Sequence, residues 1–574
     1  MSDAPRPPLR PDMTVRQVAA DYPGCREVLR QHGEPEDRPT KFGHLEPLDH
    51  FARRRGIDLT RLLTELAAAA GVGVDQESAR SQMLHRPFIA GALAATLSLG
   101  AGWGAVLLFQ IAWQDTFEAV SATAIVAHGE AQLWGFIALF VMGIALRYLP
   151  MIVSGPRPSF LLCRLLLAAF FIGILGGFVW SLIPEKAGWL GPASGAALLA
   201  GAGLFLWFLL GQLVGKLRST WGRFILVAGV WMFVWAGTTL VLRIGTASIG
   251  PGAYGESARQ LLMELGIFGF ALNAIYGFGQ RLLSGIVGSA SPRGGAIAAA
   301  FWLHNLGVVT ALLTYATSEA ALDWLGPVLL TAGAFAYTIG LRGFRRVRRS
   351  TPRPEVGAGF LVRYVQLAFF WLLMGLVLLV AGSLYGNARG LSVPHAYLGA
   401  VRHAITVGFM TTLILGVGQR LLPILGHTLL AWPRLVVPIF VLIAVGNLLR
   451  VSTEMTTLVS APAFDLMPYS ALLELAALAL FAANILRTLW PAADPLLRSG
   501  QVTALTSVAV LLGEYPWIED HLLAWGFAYV GRVRSVPREL TLGTLAAGEG
   551  KAPEEIIARI NDLLRAGWQA GSTS

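Results

Sequence analysis

Long apolar runs constrain this chain more than any other feature. A run of about 20 apolar residues is long enough to cross the roughly 30 Å hydrocarbon core of a bilayer as a helix. Such runs recur from residue 88 to residue 490, and 55% of the chain is hydrophobic while only 14% is charged. A soluble globule does not have this composition. The sequence therefore predicts an all-α polytopic membrane protein embedded in a lipid bilayer.

About twelve runs make up the predicted transmembrane domain, residues 85–492. They lie at roughly 88–112, 130–153, 160–183, 190–214, 222–246, 261–288, 296–317, 322–341, 361–383, 394–425, 433–452 and 467–490. Residues 1–80 and 498–570 show short amphipathic patterns instead, which predict a small helical cytoplasmic domain at each end. The two flanking domains share a spacing of residues: Tyr22, Pro23, Leu29 and Gly33 match Tyr515, Pro516, Leu522 and Gly526.

One stretch occurs three times, in the second, sixth and tenth runs. The copies read EAQLWGFIALFVMGIALRYLP from Glu130, ELGIFGFALNAIYGFGQRLLS from Glu264 and HAITVGFMTTLILGVGQRLLP from His403. Each copy has Gly-Phe five positions after its polar first residue and an arginine 17 positions after it. One copy in every four runs predicts three four-helix units related by pseudo-threefold symmetry.

Basic residues mark one side of the predicted bundle. Loops after the even-numbered runs carry arginines and lysines, whereas those after the odd-numbered runs carry most of the acidic residues. By the positive-inside rule the even loops and both termini are cytoplasmic, and the first residues of the three repeats lie toward the outer face. The net charge of +10 is accounted for in this way, and we expect no nucleic-acid partner.

Two histidines in apolar surroundings are candidate cofactor ligands. His128 precedes the second run, and His403 begins the third repeat. An ionisable side chain in a membrane span is costly unless it has a partner. A haem iron with two axial imidazoles needs one histidine from each of two facing helices, which equivalent helices of a symmetric bundle can supply. The alternative is that each imidazole bonds to a backbone carbonyl or to lipid headgroups.

Further polar residues of the spans are candidates for a metal or proton site. Glu130 and Glu264 can conduct protons, bind a metal or bond to a neighbouring helix. His304 is a candidate for a second metal site. His395, in the first turn of the tenth run, and His427, just beyond that run, can bind a metal or lie at the interface. The arginines that end the repeats can hold haem propionates or anchor the helices at the cytoplasmic face: Arg147, Arg281 and Arg420.

The stretch VAHGEAQLWGFIALFVMGIALRYLPMIVSGP resembles the second helix of subunit I of the haem-copper oxidases and nitric oxide reductases. The shared features are a histidine and, after it, a span rich in aromatic residues and methionine. An aromatic residue followed by leucine, and then a proline, come about one bilayer thickness further along the helix. The resemblance places His128 on one axial ligand of the low-spin haem. It places His403, which is followed by Gly408 and Pro423, on the other.

The stretches RHAITVGFMTTLILGVGQRLLPILGHTL and GFALNAIYGFG are similar to the NnrS family, haem- and copper-containing membrane proteins linked to nitric oxide stress. The resemblance implies haem b, copper and the bacterial cytoplasmic membrane. This chain departs from the family where histidines are expected, with Glu130, Glu264 and Phe278 in their place. In the comparison with the haem-copper oxidases, Val401 occupies the place of the high-spin haem ligand, and His304 stands alone where a pair is expected. We therefore expect no complete binuclear site that reduces oxygen or nitric oxide.

The flanking domains resemble a small helical domain of unknown function found with di-iron repair and hybrid-cluster proteins. That domain usually has His-Cys-x-x-Cys where this chain has HGEPEDRP, so we interpret both copies as docking domains. The expected partner is an electron donor or another respiratory or nitric oxide-detoxifying protein.

The sequence thus predicts a membrane haem protein acting in nitric oxide response or respiratory electron transfer. One alternative is a metal-free secondary transporter or membrane sensor, in which Glu130, Glu264 and the histidines form a polar pathway. Another is an accessory subunit of a respiratory complex.

Overall fold

A computed structural model describes most of the chain. The described residues are 8–11, 13–32, 47–55, 57–74, 83–153, 155–287, 292–317, 323–342, 358–425, 430–490, 502–515, 518–532, 536 and 540–572. Within these ranges the chain is helical and has no β-strand, only isolated β-bridges. The predicted all-α class is confirmed.

The helices fall into three groups along the chain. The N-terminal module contains α1 (Val15–Asp21), α2 (Cys25–Gln31), α3 (Leu48–Arg55) and α4 (Leu59–Ala70). Twelve apolar helices follow: α5 (Arg86–Gln114), α6 (Ala122–Val153), α7 (Phe160–Leu182), α8 (Leu190–Lys216), α9 (Thr220–Gly245), α10 (Glu256–Leu283), α11 (Gly294–Thr317), α12 (Leu325–Leu341), α13 (Phe360–Arg389), α14 (His395–Leu425), α15 (Pro433–Thr456) and α16 (Ala461–Leu489). The C-terminal module contains α17 (Val508–Glu514), α18 (Ile518–Ala524), α19 (Ala528–Arg532), α20 (Leu542–Gly548) and α21 (Pro553–Ser572).

Each of the twelve apolar helices coincides with one predicted run. Among the described residues, eleven are long and apolar enough to cross a membrane, and the twelfth, α12, is a shorter apolar helix. Serine side chains cap the N-termini of two of these helices. Ser121 accepts a hydrogen bond from the Ala124 N–H at 3.2 Å before α6, and Ser159 accepts one from the Leu162 N–H at 3.1 Å before α7.

The three repeated helices, α6, α10 and α14, are the inner helices of the bundle. In the most apolar 18-residue stretch of each, 94%, 83% and 72% of the residues are buried, against 33–44% in the other eight spanning helices. Packing among the three requires small residues. A Cβ at Gly418 of α14 would lie 3.3 Å from the Phe140 ring of α6, and a Cβ at Gly266 of α10 would lie 3.1 Å from Leu133 of α6. Helix α6 therefore contacts both other repeated helices.

Each repeated helix also widens into a π-helical segment at the same position. The segments Ala131–Ala138, Leu265–Leu272 and Ala404–Thr411 begin directly after Glu130, Glu264 and His403. Side chains satisfy some of the freed carbonyls: Asn273 donates to the Phe268 and Gly269 carbonyls at 3.3 and 2.8 Å. π-Helical turns are uncommon and are frequent at functional sites. The three copies of the sequence repeat thus share the same backbone feature, a π-helical segment at the same position.

The two flanking modules have hydrophobic cores of their own. The N-terminal core includes Leu29 and Phe51, and the C-terminal core includes Leu522 and Ile560. The Cys25 thiol lies inside the N-terminal core and donates to the Leu66 carbonyl at 3.2 Å. Burial raises the pKa of this thiol, so Cys25 stays protonated as a small apolar side chain.

Arg10 joins the N-terminal module to the membrane domain. Its guanidinium donates to the carbonyls of Gly155 at 2.6 Å and Pro150 at 3.1 Å, at the end of α6. The last carbonyls of a helix lack partners within the helix and carry partial negative charge. A buried cation at this position therefore fixes the module to the inner helix that carries His128.

Candidate functional site

A cavity of about 190 Å³ lies between the first and third four-helix units. Its apolar wall comes largely from α5 and from the π-helical segments of α6 and α14. Its polar side chains come mainly from α6, α14, α15 and α16, and they are His128, Gln132, His395, Arg402, His403, Arg450, Glu454 and Glu474. The cavity therefore presents an apolar face and a charged face to anything it holds.

His128 reaches the cavity from α6, just before the π-helical segment. Its Nδ1 lies 3.0 Å from the Gly100 carbonyl, which is itself the end of a π-helical segment in α5. A donor at Nδ1 makes Nε2 the nitrogen with the free electron pair. No hydrogen bond to Nε2 occurs within the described structure. The imidazole packs against Gly104, where a Cβ would come within 2.5 Å of His128 Cε1.

His403 reaches the same cavity from α14. Its Nδ1 lies 2.9 Å from the Gly399 carbonyl and 3.0 Å from Glu454 Oε2. These two acceptors orient the ring and assign the proton to Nδ1. Nε2 lies 3.4 Å from the Arg450 guanidinium. In both histidines the protein holds Nδ1, which leaves the electron pair on Nε2. The two rings differ in that His403 Nε2 accepts a hydrogen bond from Arg450, which a metal at this nitrogen would replace.

Arg450 and Glu454 form a buried pair beside His403. One turn of α15 separates them, and their side chains are 3.0 Å apart and 8% and 4% exposed. Glu454 lies beyond the predicted run 433–452, but α15 continues to Thr456 and buries this carboxylate in the bundle. The Arg450 guanidinium neutralises the carboxylate and the His403 N–H donates to it, and together these contacts offset the cost of burying the charge.

Glu130 lies outside the cavity and has a structural partner. Its carboxylate accepts a hydrogen bond from Arg243 of α9 at 2.6 Å, and Arg243 also donates to the Ser194 hydroxyl at 2.6 Å. Glu264 does not line the cavity either and accepts from Gln260 at 3.0 Å. Of the alternatives for Glu130, the geometry matches the bond to a neighbouring helix.

The remaining histidines occupy different surroundings. His304 is fully buried in α11, where Nε2 lies 2.8 Å from the Phe268 carbonyl in the π-helical segment of α10. His395 lines the cavity, and its ring packs edge to face on Phe117 at 5.6 Å. His427 lies outside the described residues. Across the described part of the chain, no three His, Cys, Asp or Glu side chains are grouped as a metal site.

Aromatic packing occupies the other two spaces between repeated helices. Between α6 and α10, Trp134 stacks on Trp235 at 3.4 Å, leaving a pocket of about 20 Å³ beside Glu130. Near α10 and α14, Tyr276 stacks on Tyr337 at 4.1 Å, and Tyr337 continues to Phe369 at 6.3 Å. The residues equivalent to His128 in the second and third repeats are Leu262 and Val401. The cavity with two histidines is therefore specific to the space between the first and third units.

Several charged residues of the cavity were not among the candidates predicted from the sequence. Arg402 and Arg450 supply positive charge there, whereas two of the arginines considered for propionates lie elsewhere: Arg147 donates to the Leu425 carbonyl at 3.4 Å, and Arg281 lies over the Trp221 ring. Glu474 was also missed. A charge inside an apolar run was the available signal, since intramembrane charges usually face the bundle interior.

The fold and the cavity define a polytopic helical membrane protein in which symmetric inner helices bring two histidines to one site. A family model described as NnrS protein matches residues 82–492, and the chain belongs to the NnrS family. No curated protein matches the chain.

Proposed function

We propose that the cavity binds one b-type haem with His128 and His403 as its axial ligands. The observation that carries this proposal is that two histidines 275 positions apart line one cavity, each with its Nδ1 held by a protein acceptor. Acceptors on Nδ1 are typical of metal-binding histidines, because they fix the ring and increase the basicity of Nε2.

The other residues that line the cavity also suit the macrocycle and the propionates of a haem. Its macrocycle is apolar and suits the wall formed by residues such as Leu107, Leu108 and Ile137. Its propionates are anionic and suit Arg402 and Arg450, whose guanidinium groups can bind carboxylates through two hydrogen bonds. The ligands and charges therefore match an amphiphilic, carboxylated ring.

A haem with two protein ligands supplies one-electron transfer. In this chain Glu454 holds the His403 ring in position, and Gly100 does the same for His128. The apolar wall of the cavity lowers the local dielectric, which strengthens the effect of nearby charges. We infer a role in respiratory electron transfer or in the response to nitric oxide, in the bacterial cytoplasmic membrane with both termini cytoplasmic.

A pathway built from Glu130, Glu264 and the histidines has less support. Glu130 is paired with Arg243, and Glu264 does not line the cavity, so these carboxylates do not continue the polar surface that contains His403. A transporter using the cavity would rely on Glu454 and Glu474 instead.

A reduced absorption spectrum tests the haem proposal. We expect detergent-purified protein treated with dithionite to show sharp α and β bands that H128A and H403A each lose. His395→Ala is the matched control, because His395 lies on α14 and lines the same cavity, and its spectrum should equal that of the wild type. A colourless protein after expression with sufficient haem supply contradicts the proposal and favours the transporter class. Bands retained by both histidine variants would show that other residues bind the haem.

A further inference from the structure

A group of buried polar atoms without hydrogen bonds lies beside the cavity. They belong to Glu474 (Oε1), Asn447 (Nδ2 and Oδ1), Arg450 (Nη1) and Trp371 (Nε1). Asn447 is fully buried and Arg450 is 7% exposed. Buried polar groups are nearly always satisfied, by protein or by ordered water, because an unmade hydrogen bond costs about 1–3 kcal/mol. Several such atoms in one region indicate that water binds there.

Packing brings these side chains around α14 and α15. A Cβ at Gly408, in the π-helical segment, would lie 2.6 Å from Asn447 Nδ2 and 2.6 Å from the Trp371 ring. A Cβ at Gly446, the neighbour of Asn447, would lie 2.9 Å from Glu474 Cγ. Glu474 and Arg450 both also line the cavity. The group therefore extends from the cavity, between α14 and α15, to Trp371 of α13.

These unpaired polar atoms include both hydrogen-bond donors and acceptors, so water molecules can bridge them. Arg450 and Trp371 offer N–H donors, Glu474 offers an acceptor, and Asn447 offers both. Buried waters typically make about three hydrogen bonds to such groups. A hydrated carboxyl can exchange its proton along these bonds, whereas a dry one cannot.

Glu474 differs from the other carboxylate of the cavity. Glu454 is held by Arg450 at 3.0 Å and by His403 at 3.0 Å. Glu474 makes no hydrogen bond within the described structure. The other charged or titratable side chains facing the cavity are Arg402 of α14, His395 of α14 and His128 of α6. Of the two carboxylates, Glu474 is thus the one free to respond to a change in charge.

We propose that Glu474 is a proton-binding site coupled to reduction of the bound cofactor, an inference that rests on the haem proposed above. One-electron reduction of a haem held by His128 and His403 would bring one negative charge into the cavity. The Glu474 carboxylate then binds one proton from the aqueous phase through the hydrated group, and the two charges balance. Oxidation reverses both steps, and the proton returns to water.

Redox titration across pH tests the coupling. If reduction favours protonation of Glu474, the midpoint potential falls as pH rises, by at most about 59 mV per pH unit. We expect E474Q to flatten this slope and E474D, which keeps a titratable carboxyl, to retain it. Glu264→Gln is the matched control, since it removes a membrane carboxyl that does not line the cavity. A wild-type midpoint independent of pH, or an E474Q slope equal to that of the wild type, overturns the proposal while leaving the haem in place.

Infrared spectroscopy provides a readout that does not depend on the haem. In pH-difference spectra of the whole chain, we expect a carboxyl band that E474Q removes and E264Q keeps. If the protein is colourless but the band is present, the haem proposal and the coupling fail and the proton site stands. If no band is sensitive to E474Q, the proton site itself is wrong, whether or not haem is bound.

Discussion

At the scale of single residues, the protein uses its membrane charges in two different ways. Glu130 and Arg243 neutralise each other with a 2.6 Å contact, and Arg243 also lies over the Trp180 ring at 5.6 Å. His403, Arg450 and Glu454 form a comparable group, but theirs opens onto a cavity. The same repeat position thus carries a structural ion pair in the first unit and lines a cavity in the third.

Removing one member of the Glu130–Arg243 pair should destabilise the bundle. E130Q leaves a buried guanidinium without its carboxylate, and breaking buried pairs in this way costs about 3–5 kcal/mol. We expect a corresponding loss in the free energy of unfolding measured by denaturation in detergent. E264Q should change it by less than about 1 kcal/mol, because Glu264 is partly exposed and its one hydrogen bond among the described residues, from Gln260, can also be made to a glutamine. A double substitution of both partners by Met should recover most of the loss, and an unaltered E130Q stability would show that the pair contributes nothing.

At the scale of helices, close contacts decide where side chains point. The His128 ring lies in the space left by the missing side chain of Gly104, and Gly100 supplies the carbonyl that holds it. Helix α5 therefore orients a histidine that belongs to α6. Helix α5 contains no histidine, since His85 lies just before its first residue, so its contribution to this contact is one of shape and backbone geometry.

A methyl group at residue 104 should displace His128. In G104A the new Cβ would come 2.5 Å from His128 Cε1 and 2.8 Å from Nδ1, so the ring must move away from the Gly100 carbonyl. Loss of such a supporting contact typically lowers metal affinity 10–100-fold. We expect a matching fall in haem retained per protein through purification. Gly237→Ala is the control, because no atom lies within 4 Å of its Cβ position on α9. Equal haem content in both variants would contradict the proposed role of His128.

The sequence was sufficient for some of these features and not for others. Hydropathy predicted the spans, and the repeats at Glu130, Glu264 and His403 predicted which helices resemble one another. Neither indicates how far a helix is rotated, so the pairing of Glu130 with Arg243, 113 residues away, was not predictable. The π-helical segments were also missed, since their wider turns depend on side chains such as Asn273 that bond to freed carbonyls.

At the scale of the whole molecule, the N-terminal module is attached to the inner helix that also carries His128. The contact is at the opposite end of α6, because 22 residues separate His128 from Pro150, about 33 Å along a helix. The module is therefore attached at the end of α6 that lies away from His128 and the cavity. Docking of a partner protein by this module stays a prediction.

Substituting Arg10 should release the module without altering the cavity. The guanidinium makes two hydrogen bonds to carbonyls at the negative end of α6, each worth about 1.5–3 kcal/mol for a charged donor. R10A should therefore shift the docking equilibrium by more than tenfold, measured as faster proteolytic cleavage between the N-terminal module and α5. Arg26→Ala is the control, because Arg26 is exposed and bonds only within the module to the Ala19 carbonyl. We expect R10A to keep the wild-type absorption spectrum, since the contact is about 33 Å from His128. Cleavage at the wild-type rate would mean that other contacts hold the module, and a changed spectrum would mean that α6 transmits docking to the cavity.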